Sequence, residues 1–257
     1  MIKRYKITEF INKSFRDVAD CDYINARSCY KIGLIDQFLW SSLQSIEKYL
    51  KAIILYHDGN TKTINHNLNK AVKLIEVIPK IDWSFISPLK NYFAYLTDYG
   101  CDRYFIKPSG TQGTELLNLD HAVWTIRRYC QDFQLIEFDT KNNFNFDEYL
   151  EHLSSDKLRK KPHTFSLFYP GYLELVLKSN NNSELRSILI WKNSYYGLYK
   201  KHRFNFKQRL SGKTPSHYSF PDIFNWVDNR VKLPKSVKKY FSDNKDCQPK
   251  YSGILRY

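Results

Sequence analysis

The chain has 257 residues, of which 42% are hydrophobic and 26% are charged, and its formal net charge is +14. This composition excludes a disordered protein, and no apolar run approaches the roughly 20 residues that a membrane-spanning helix needs. The first residues lack the apolar stretch of a secretory signal, and the five cysteines form no C-x-x-C pair, so we expect free thiols and a cytoplasmic location without membrane contact.

Few turn-forming residues interrupt the chain, which contains only nine glycines and nine prolines. Together with many segments of helical periodicity, this scarcity predicts a mainly α-helical protein rather than a many-stranded β fold. We expect a first helical segment over residues 1–30 and a long helix over about residues 33–57. In the long helix the apolar positions recur every three or four residues, at Phe38, Leu39, Leu43, Ile46, Leu50, Ile53 and Ile54.

Further helices are expected downstream of the long helix. The first covers residues 66–78 and ends at Pro79, and the second runs from Ser87-Pro88, as N-cap and first helical position, to about residue 99. A third helix is predicted over residues 114–133. The stretch 136–147 is polar and rich in asparagine, and we interpret it as a linker between residues 1–135 and residues 148–257.

One stretch combines a helix containing Glu47-Lys48-Tyr49-Leu50-Lys51-Ala52, a polar loop, and then His66-Asn67-Leu68. It resembles the signature of HEPN domains, in which a helix with an EKxLKA pattern precedes a loop that ends in H-x-L. Arg103-Tyr104, before the predicted helix 114–133, is similar to a further feature of that family. The resemblance covers about residues 1–135 and implies a HEPN-like antiparallel helical bundle over that range.

The resemblance also implies an activity and an assembly. HEPN ribonucleases use an R-x4-6-H motif and no metal, at the interface of two copies of the bundle. The His assists attack of a ribose 2′-hydroxyl on the adjacent phosphate, and the Arg stabilises the developing charge. The resemblance therefore implies a homodimer, a role in bacterial defence or in a toxin–antitoxin system, and a cognate antitoxin or regulator as partner.

The chain departs from that pattern, because no Arg precedes a His by five to seven positions. Two substitute catalytic pairs are candidates. His121 and Arg128 are seven residues apart on one face of the predicted helix 114–133, roughly 10 Å along its axis. His66 and Arg103 both lie at junctions between a loop and a helix. The competing interpretation is structural: a capping or packing His66, an ion-paired Arg103, and Arg127 and Arg128 on a solvated edge.

The sequence contains no motif for other kinds of catalytic or metal site. The chain contains neither a P-loop nor a G-x-S-x-G motif, and no cluster of His, Asp and Glu has metal-ligand spacing. We therefore expect no cofactor and no metal.

The basic surplus lies in the second half of the chain. Residues 1–139 contain 18 Lys and Arg against 16 Asp and Glu, whereas residues 140–257 contain 22 against 10. Such a field attracts polyanions, and we predict a basic, aromatic-rich and mostly helical region over residues 148–257. One segment interleaves bases with aromatic residues, which suits phosphate contacts and base stacking, and its candidate nucleic-acid-binding residues are Lys200, Lys201, Arg203, Lys207 and Arg209. A core-facing aromatic row flanked by solvated lysines is the competing interpretation.

Two functions stay open at this point. The first is a metal-independent ribonuclease or nucleotide-acting effector, which the resemblance and the basic half favour. The second is a non-catalytic module that binds a nucleic acid, RNA rather than DNA, or an acidic partner protein, which the missing R-x4-6-H motif favours.

Overall fold

A computed structural model of the chain describes residues 2–101, 110–111, 113–140, 144–180, 183–198, 209–210, 221–230 and 238–239. It confirms a mainly α-helical protein. The first helices are α1 (Ile2–Ile11), α2 (Asp17–Ile32), α3 (Ile35–Tyr56), α4 (Leu68–Glu76), α5 (Lys90–Tyr99) and α6 (Glu115–Arg127). They are followed by α7 (Phe133–Asp139), α8 (Phe146–Ser154), α9 (Asp156–Lys160), α10 (Tyr172–Lys178), α11 (Glu184–Ile190) and α12 (Pro221–Asp228).

Short irregular elements connect these helices. A π-helical turn, Asn12–Arg16, joins α1 to α2, and a 3-10 helix, Trp83–Leu89, leads into α5. A second 3-10 turn, Pro162–Thr164, follows α9. Two strands of two residues each, β1 (Gly110–Thr111) and β2 (Arg209–Leu210), pair in antiparallel fashion. None of the helices in the described ranges is long and apolar enough to cross a membrane.

Two predicted helix boundaries are wrong, and in each case a capping side chain sets the observed boundary. The helix predicted over 114–133 ends at Arg127, and Asp132 starts α7 by accepting a hydrogen bond from the Leu135 amide. The predicted second helix begins earlier than Ser87, as a 3-10 helix whose N-cap is Asp82. In the C-terminal half, Ser155 is extended and caps α9, so it separates α8 from α9.

Helix α3 lies at the centre of the fold. Most of its apolar side chains are fully or almost fully buried, Trp40 and Leu55 being partly buried, and it packs against α1, α2, α4, α5 and α6. The apolar residues at every third or fourth position of α3 therefore belong to a helix that other helices cover on several sides, not to a helix with a single buried stripe. Gly100 lies so close to the backbone of α3 that an added Cβ would lie 2.9 Å from the Leu39 carbonyl oxygen.

Two buried ion pairs join α2 to α6. Arg127 of α6 donates to both carboxylate oxygens of Asp20 in α2, at 2.7 and 2.8 Å, and Arg27 of α2 donates to Asp120 of α6. Each helix thus contributes an aspartate and, seven residues later, an arginine. Because the aspartate of each helix pairs with the arginine of the other, the two helices run antiparallel. All four side chains are almost completely buried, so each charge depends on its partner.

Further buried groups complete this network. Glu174 of α10 accepts two hydrogen bonds of 2.6 Å from Arg127, and Tyr49 donates to Asp20. Tyr23 donates to Asp120, and Asn193 donates to the Tyr23 hydroxyl at 2.9 Å. The second Asp120 oxygen has no hydrogen-bond partner among the described residues. Burial raises the pKa of the Asp120 carboxyl, although Arg27 acts in the opposite direction.

The described part of the C-terminal half packs into the same core. Leu153, Leu173, Val176 and Leu189 join the cluster formed by the N-terminal helices, and α10 and α11 pack on α2. The stretch 136–147, interpreted as a linker, begins inside α7. Arginines strengthen this attachment by donating to backbone carbonyls of the C-terminal half: Arg16 to Tyr169, Arg27 to Ile188 and Trp191, and Arg128 to Leu153.

Of the large apolar side chains on α3 and α6, Trp40 is only partly buried, whereas three others are covered within the chain. Trp124 packs with Leu158 and Tyr195, and Phe38 and Leu39 lie in the main core. With these side chains covered, the prediction of a homodimer rests on the family resemblance.

Candidate active site

The loop between α3 and α4 places His66 beside the middle of α3. Asn65 and His66 both have positive φ values, 46° and 62°, in the left-handed region that asparagine and histidine tolerate better than most residues. Asn67 then caps α4, because its side chain accepts a hydrogen bond from the Lys70 amide at 2.9 Å. The tight turn and the cap together fix where the imidazole lies.

His66 forms a carboxylate–imidazole pair with Glu47. The His66 Nδ1 atom lies 2.6 Å from Glu47 Oε2, and Lys51 donates to the other carboxylate oxygen. The Glu47 side chain is only 4% exposed, whereas that of His66 is 41% exposed. A buried anion therefore holds an imidazole that solvent and ligands can reach.

The pairing sets the tautomer of His66. With the proton on Nδ1 directed at the carboxylate, Nε2 is left as the basic nitrogen. Gln44 Nε2 lies 3.5 Å from the same Nδ1, but an amide nitrogen cannot donate to a protonated nitrogen, so this contact is van der Waals packing. Nε2 makes no hydrogen bond within the part of the chain that the structure describes, which leaves it able to exchange a proton with a bound molecule.

The outer face of α3 supplies the surroundings of His66. Trp40, Gln44, Glu47 and Lys51 recur at helical spacing, and the Trp40 ring centroid lies 5.8 Å from that of His66. Lys48, one residue from Glu47, forms an ion pair with Asp22 of α2. An aromatic ring, an oriented imidazole and two lysines thus lie along about three turns of one helix.

The structure does not bring His121 and Arg128 together on an open surface. Arg128 lies one residue past the end of α6, is buried, and donates to the carbonyls of Leu153 and Trp124. Its guanidinium carbon lies 3.8 Å from the centroid of the Trp124 ring, and burial lowers the pKa of Arg128 to about 10. His121 stacks on Tyr195 at 5.7 Å between centroids. Arg128 thus binds the C-terminal half to α6.

The remaining predicted site residues cannot be placed. Arg103, Lys200, Lys201, Arg203 and Lys207 lie outside the described residues, and of Arg209 only the backbone in β2 is described. The predicted partnership of His66 with Arg103 and the predicted nucleic-acid-binding segment therefore stay predictions. No group of three or more His, Cys, Asp and Glu suited to a metal ion occurs in the ranges given above.

Sequence reasoning missed the partner of His66. The Glu47 carboxylate pairs with Lys51 along the helix and also orients the imidazole. The available signal was the resemblance itself, because the EKxLKA and H-x-L patterns that define it meet in space at this pair. The chain matches no protein-family model, no curated protein and no solved structure with which it was compared.

Proposed function

We propose that the protein cleaves RNA, with His66 as the residue that transfers protons and Glu47 as the residue that orients it. The observation that carries the proposal is the hydrogen bond between a buried carboxylate and an exposed imidazole. This arrangement suits acid–base catalysis by histidine, because the carboxylate fixes the tautomer and the orientation of the imidazole.

The proposed reaction is transfer of the phosphodiester to the neighbouring ribose oxygen. His66 Nε2 removes the proton of the 2′-hydroxyl, and that oxygen forms a bond to the adjacent phosphorus. The bond from phosphorus to the 5′-oxygen breaks, leaving a 2′,3′-cyclic phosphate, and the 5′-oxygen takes up a proton from the imidazolium or from water. Lys51, which shares the Glu47 carboxylate with His66, would supply positive charge where the phosphate gains negative charge.

The test is incubation of a structured RNA with the protein in EDTA. Cleavage should persist, since no step uses a metal, and His66→Ala should reduce the rate by about 10²- to 10⁴-fold, which is the usual contribution of a general acid–base group. His121→Ala is the matched control because its imidazole stacks on Tyr195, and it should cleave at the rate of the unmodified protein. Equal rates for all three proteins would contradict the proposal.

A second function is supported by the charge distribution. In the N-terminal half the arginines Arg4, Arg16, Arg27, Arg127 and Arg128 are all bonded to carboxylates or carbonyls inside the chain. The surplus of 22 basic over 10 acidic residues after position 139 is thus the main source of an attractive field for nucleic acid. A non-catalytic binder would shift labelled RNA with an affinity that falls steeply as salt rises, and would leave the RNA intact.

A homodimer is proposed on the resemblance alone. Light scattering at micromolar concentration should then give about twice the chain mass of 30.7 kDa. A mass near 30.7 kDa would exclude an active site composed of two chains, and would leave the Glu47–His66 pair as a site within one chain.

A further inference from the structure

A cleft next to helix α8 has features of a ligand site. It lies between the 3-10 helix Trp83–Leu89 and helix α8, with Tyr129 also lining it and Arg159 of α9 at its side. Its volume is about 370 Å³, within the range that small-molecule sites occupy. The proposed RNA-cleaving residues do not line it.

Aromatic and aliphatic side chains form the apolar part of this cleft. The rings of Phe85 and Tyr129 are stacked, with centroids 4.5 Å apart and an angle of 12° between their planes. Ile81 and Leu150 extend the same surface. A flat apolar group of a ligand could pack on this surface, and because the Phe85 ring is already stacked on Tyr129, binding would order few additional side chains.

Two carboxylates face the cleft without a partner. Helix α8 presents Asp147, Leu150, Glu151 and Ser154 to it, at the spacing of one helical face. Neither Asp147 nor Glu151 has a hydrogen bond or ion pair to its side chain within the described ranges. Asp82, by contrast, is occupied, because it accepts hydrogen bonds from the amide and the hydroxyl of Ser84 at 2.9 and 2.8 Å.

Cationic groups lie in the same cleft. Arg159 has one ionic contact, at 3.7 Å, with the exposed Asp156 one turn before it. An exposed ion pair at this distance contributes little to stability, so Arg159 can exchange Asp156 for a ligand carboxylate at small cost. Lys80 lies in the left-handed backbone region at φ 68° and forms no ion pair with any described residue. The cleft therefore offers an apolar surface, acceptors for an ammonium group and donors for a carboxylate.

We propose that this cleft binds a free α-amino acid with a large apolar or aromatic side chain. Its carboxylate would pair with the Arg159 guanidinium, whose planar fork fits a carboxylate. Its ammonium group would lie between Asp147 and Glu151, and its side chain would pack on Phe85 and Leu150. A mononucleotide fits less well, since its phosphate dianion would face three carboxylates, from Asp82, Asp147 and Glu151.

Calorimetric titration of the full chain with L-phenylalanine and L-tryptophan tests the proposal. Three analogues each lack one recognised group: phenethylamine lacks the carboxylate, 3-phenylpropanoate lacks the ammonium group, and glycine lacks the side chain. Each should bind about tenfold or more weakly than the amino acid, because each leaves one charged or apolar contact unmade. Adenosine monophosphate is the competing ligand in the same series.

Matched variants locate the binding. Glu151→Gln and Arg159→Gln should each weaken binding of L-phenylalanine about tenfold, whereas Glu148→Gln on α8 and Lys160→Gln on α9 remove neighbouring charges that do not line the cleft and should bind normally. Absence of binding, equal binding of an analogue that lacks a charge, tighter binding of adenosine monophosphate, or equal loss in the Glu148→Gln control would each overturn the proposal. RNA cleavage is not used as a readout, so this result is independent of the proposed function.

Discussion

Arg127 shows at the level of a single residue how a charge is held inside this fold. Its guanidinium lies between Asp20 and Glu174, with all three side chains buried. Replacing Arg127 by Met should reduce the free energy of unfolding by about 3–5 kcal/mol, because two carboxylates are left buried without a counter-ion. Urea denaturation measures the change.

An exposed ion pair provides the control for this variant. Lys13→Met breaks the surface pair with Glu9, in which both side chains are mostly exposed, and should leave the urea midpoint essentially unchanged. Equal midpoints for the Arg127→Met variant and the unmodified protein would show that the buried pairs are not formed in solution.

The same cluster predicts a loss of stability in acid. Burial alone would raise the pKa of Glu174, but Arg127 and the Gly171 amide outweigh burial and lower this pKa to about 2. A carboxyl whose pKa is lower in the folded state contributes stability above its ordinary pKa of 4.5, and this contribution is lost as the pH falls towards 2. The unfolding free energy should therefore fall between pH 5 and pH 2, and less steeply in Glu174→Gln. An equal slope in both proteins would contradict the assignment.

The candidate site was only partly predictable from its residues. The sequence identified His66, because the resemblance included it, but did not predict its contact with Glu47, and the partnership with Arg103 stays a prediction. Residues 19 positions apart meet here through a turn with two positive φ angles, and periodicity carries no information on such a turn. The solvated edge that the competing interpretation gave Arg127 and Arg128 is wrong, because both side chains are buried. Helical spacing gives the face on which a side chain lies, not what packs against that face.

At the level of elements, the turn between α2 and α3 depends on Gly33. This residue has φ 89° and its amide donates to the carbonyls at the end of α2, as in a left-handed helix cap. Gly33→Ala should cost about 1–2 kcal/mol of folding free energy, because a Cβ is unfavourable in this backbone region. Gly33→Asn should cost less, since asparagine tolerates that conformation, and thermal unfolding of the two variants distinguishes them. Equal stability of Gly33→Ala and the unmodified protein would contradict this cap.

Long periodic helices were predicted well and helix breaks were not. The segments 1–30 and 33–57 correspond to α1 with α2 and to α3, because burial on several sides makes their apolar pattern dense. The break between α6 and α7 has neither glycine nor proline. It depends on Asp132, which caps α7 and also accepts hydrogen bonds from Arg4 and Thr8 of α1. Contacts between distant segments determine this boundary. The local sequence shows only a residue type that can cap a helix, so the break could not be predicted from it.

For the whole molecule, the C-terminal half should be needed for folding. Without it, Arg127 loses Glu174, Arg27 loses two carbonyls, and the core loses Leu173 and Leu189. A fragment of residues 1–139 should therefore lack a cooperative urea transition and bind a hydrophobic dye, as expected of a loosely packed state. A fragment that unfolds cooperatively at the midpoint of the full chain would contradict a shared core and would support two independent domains.

We propose that Glu47 acts on RNA cleavage only by orienting His66. A double-mutant cycle of RNA cleavage rates, measured in EDTA, tests this role of Glu47. Glu47→Gln and His66→Ala are measured singly and together, with circular dichroism to confirm that each variant is folded. If Glu47 orients the imidazole, its replacement reduces the rate in the presence of His66 and has no further effect once His66 is absent. Rate reductions that multiply in the double variant, or single variants as active as the unmodified protein, would contradict the account.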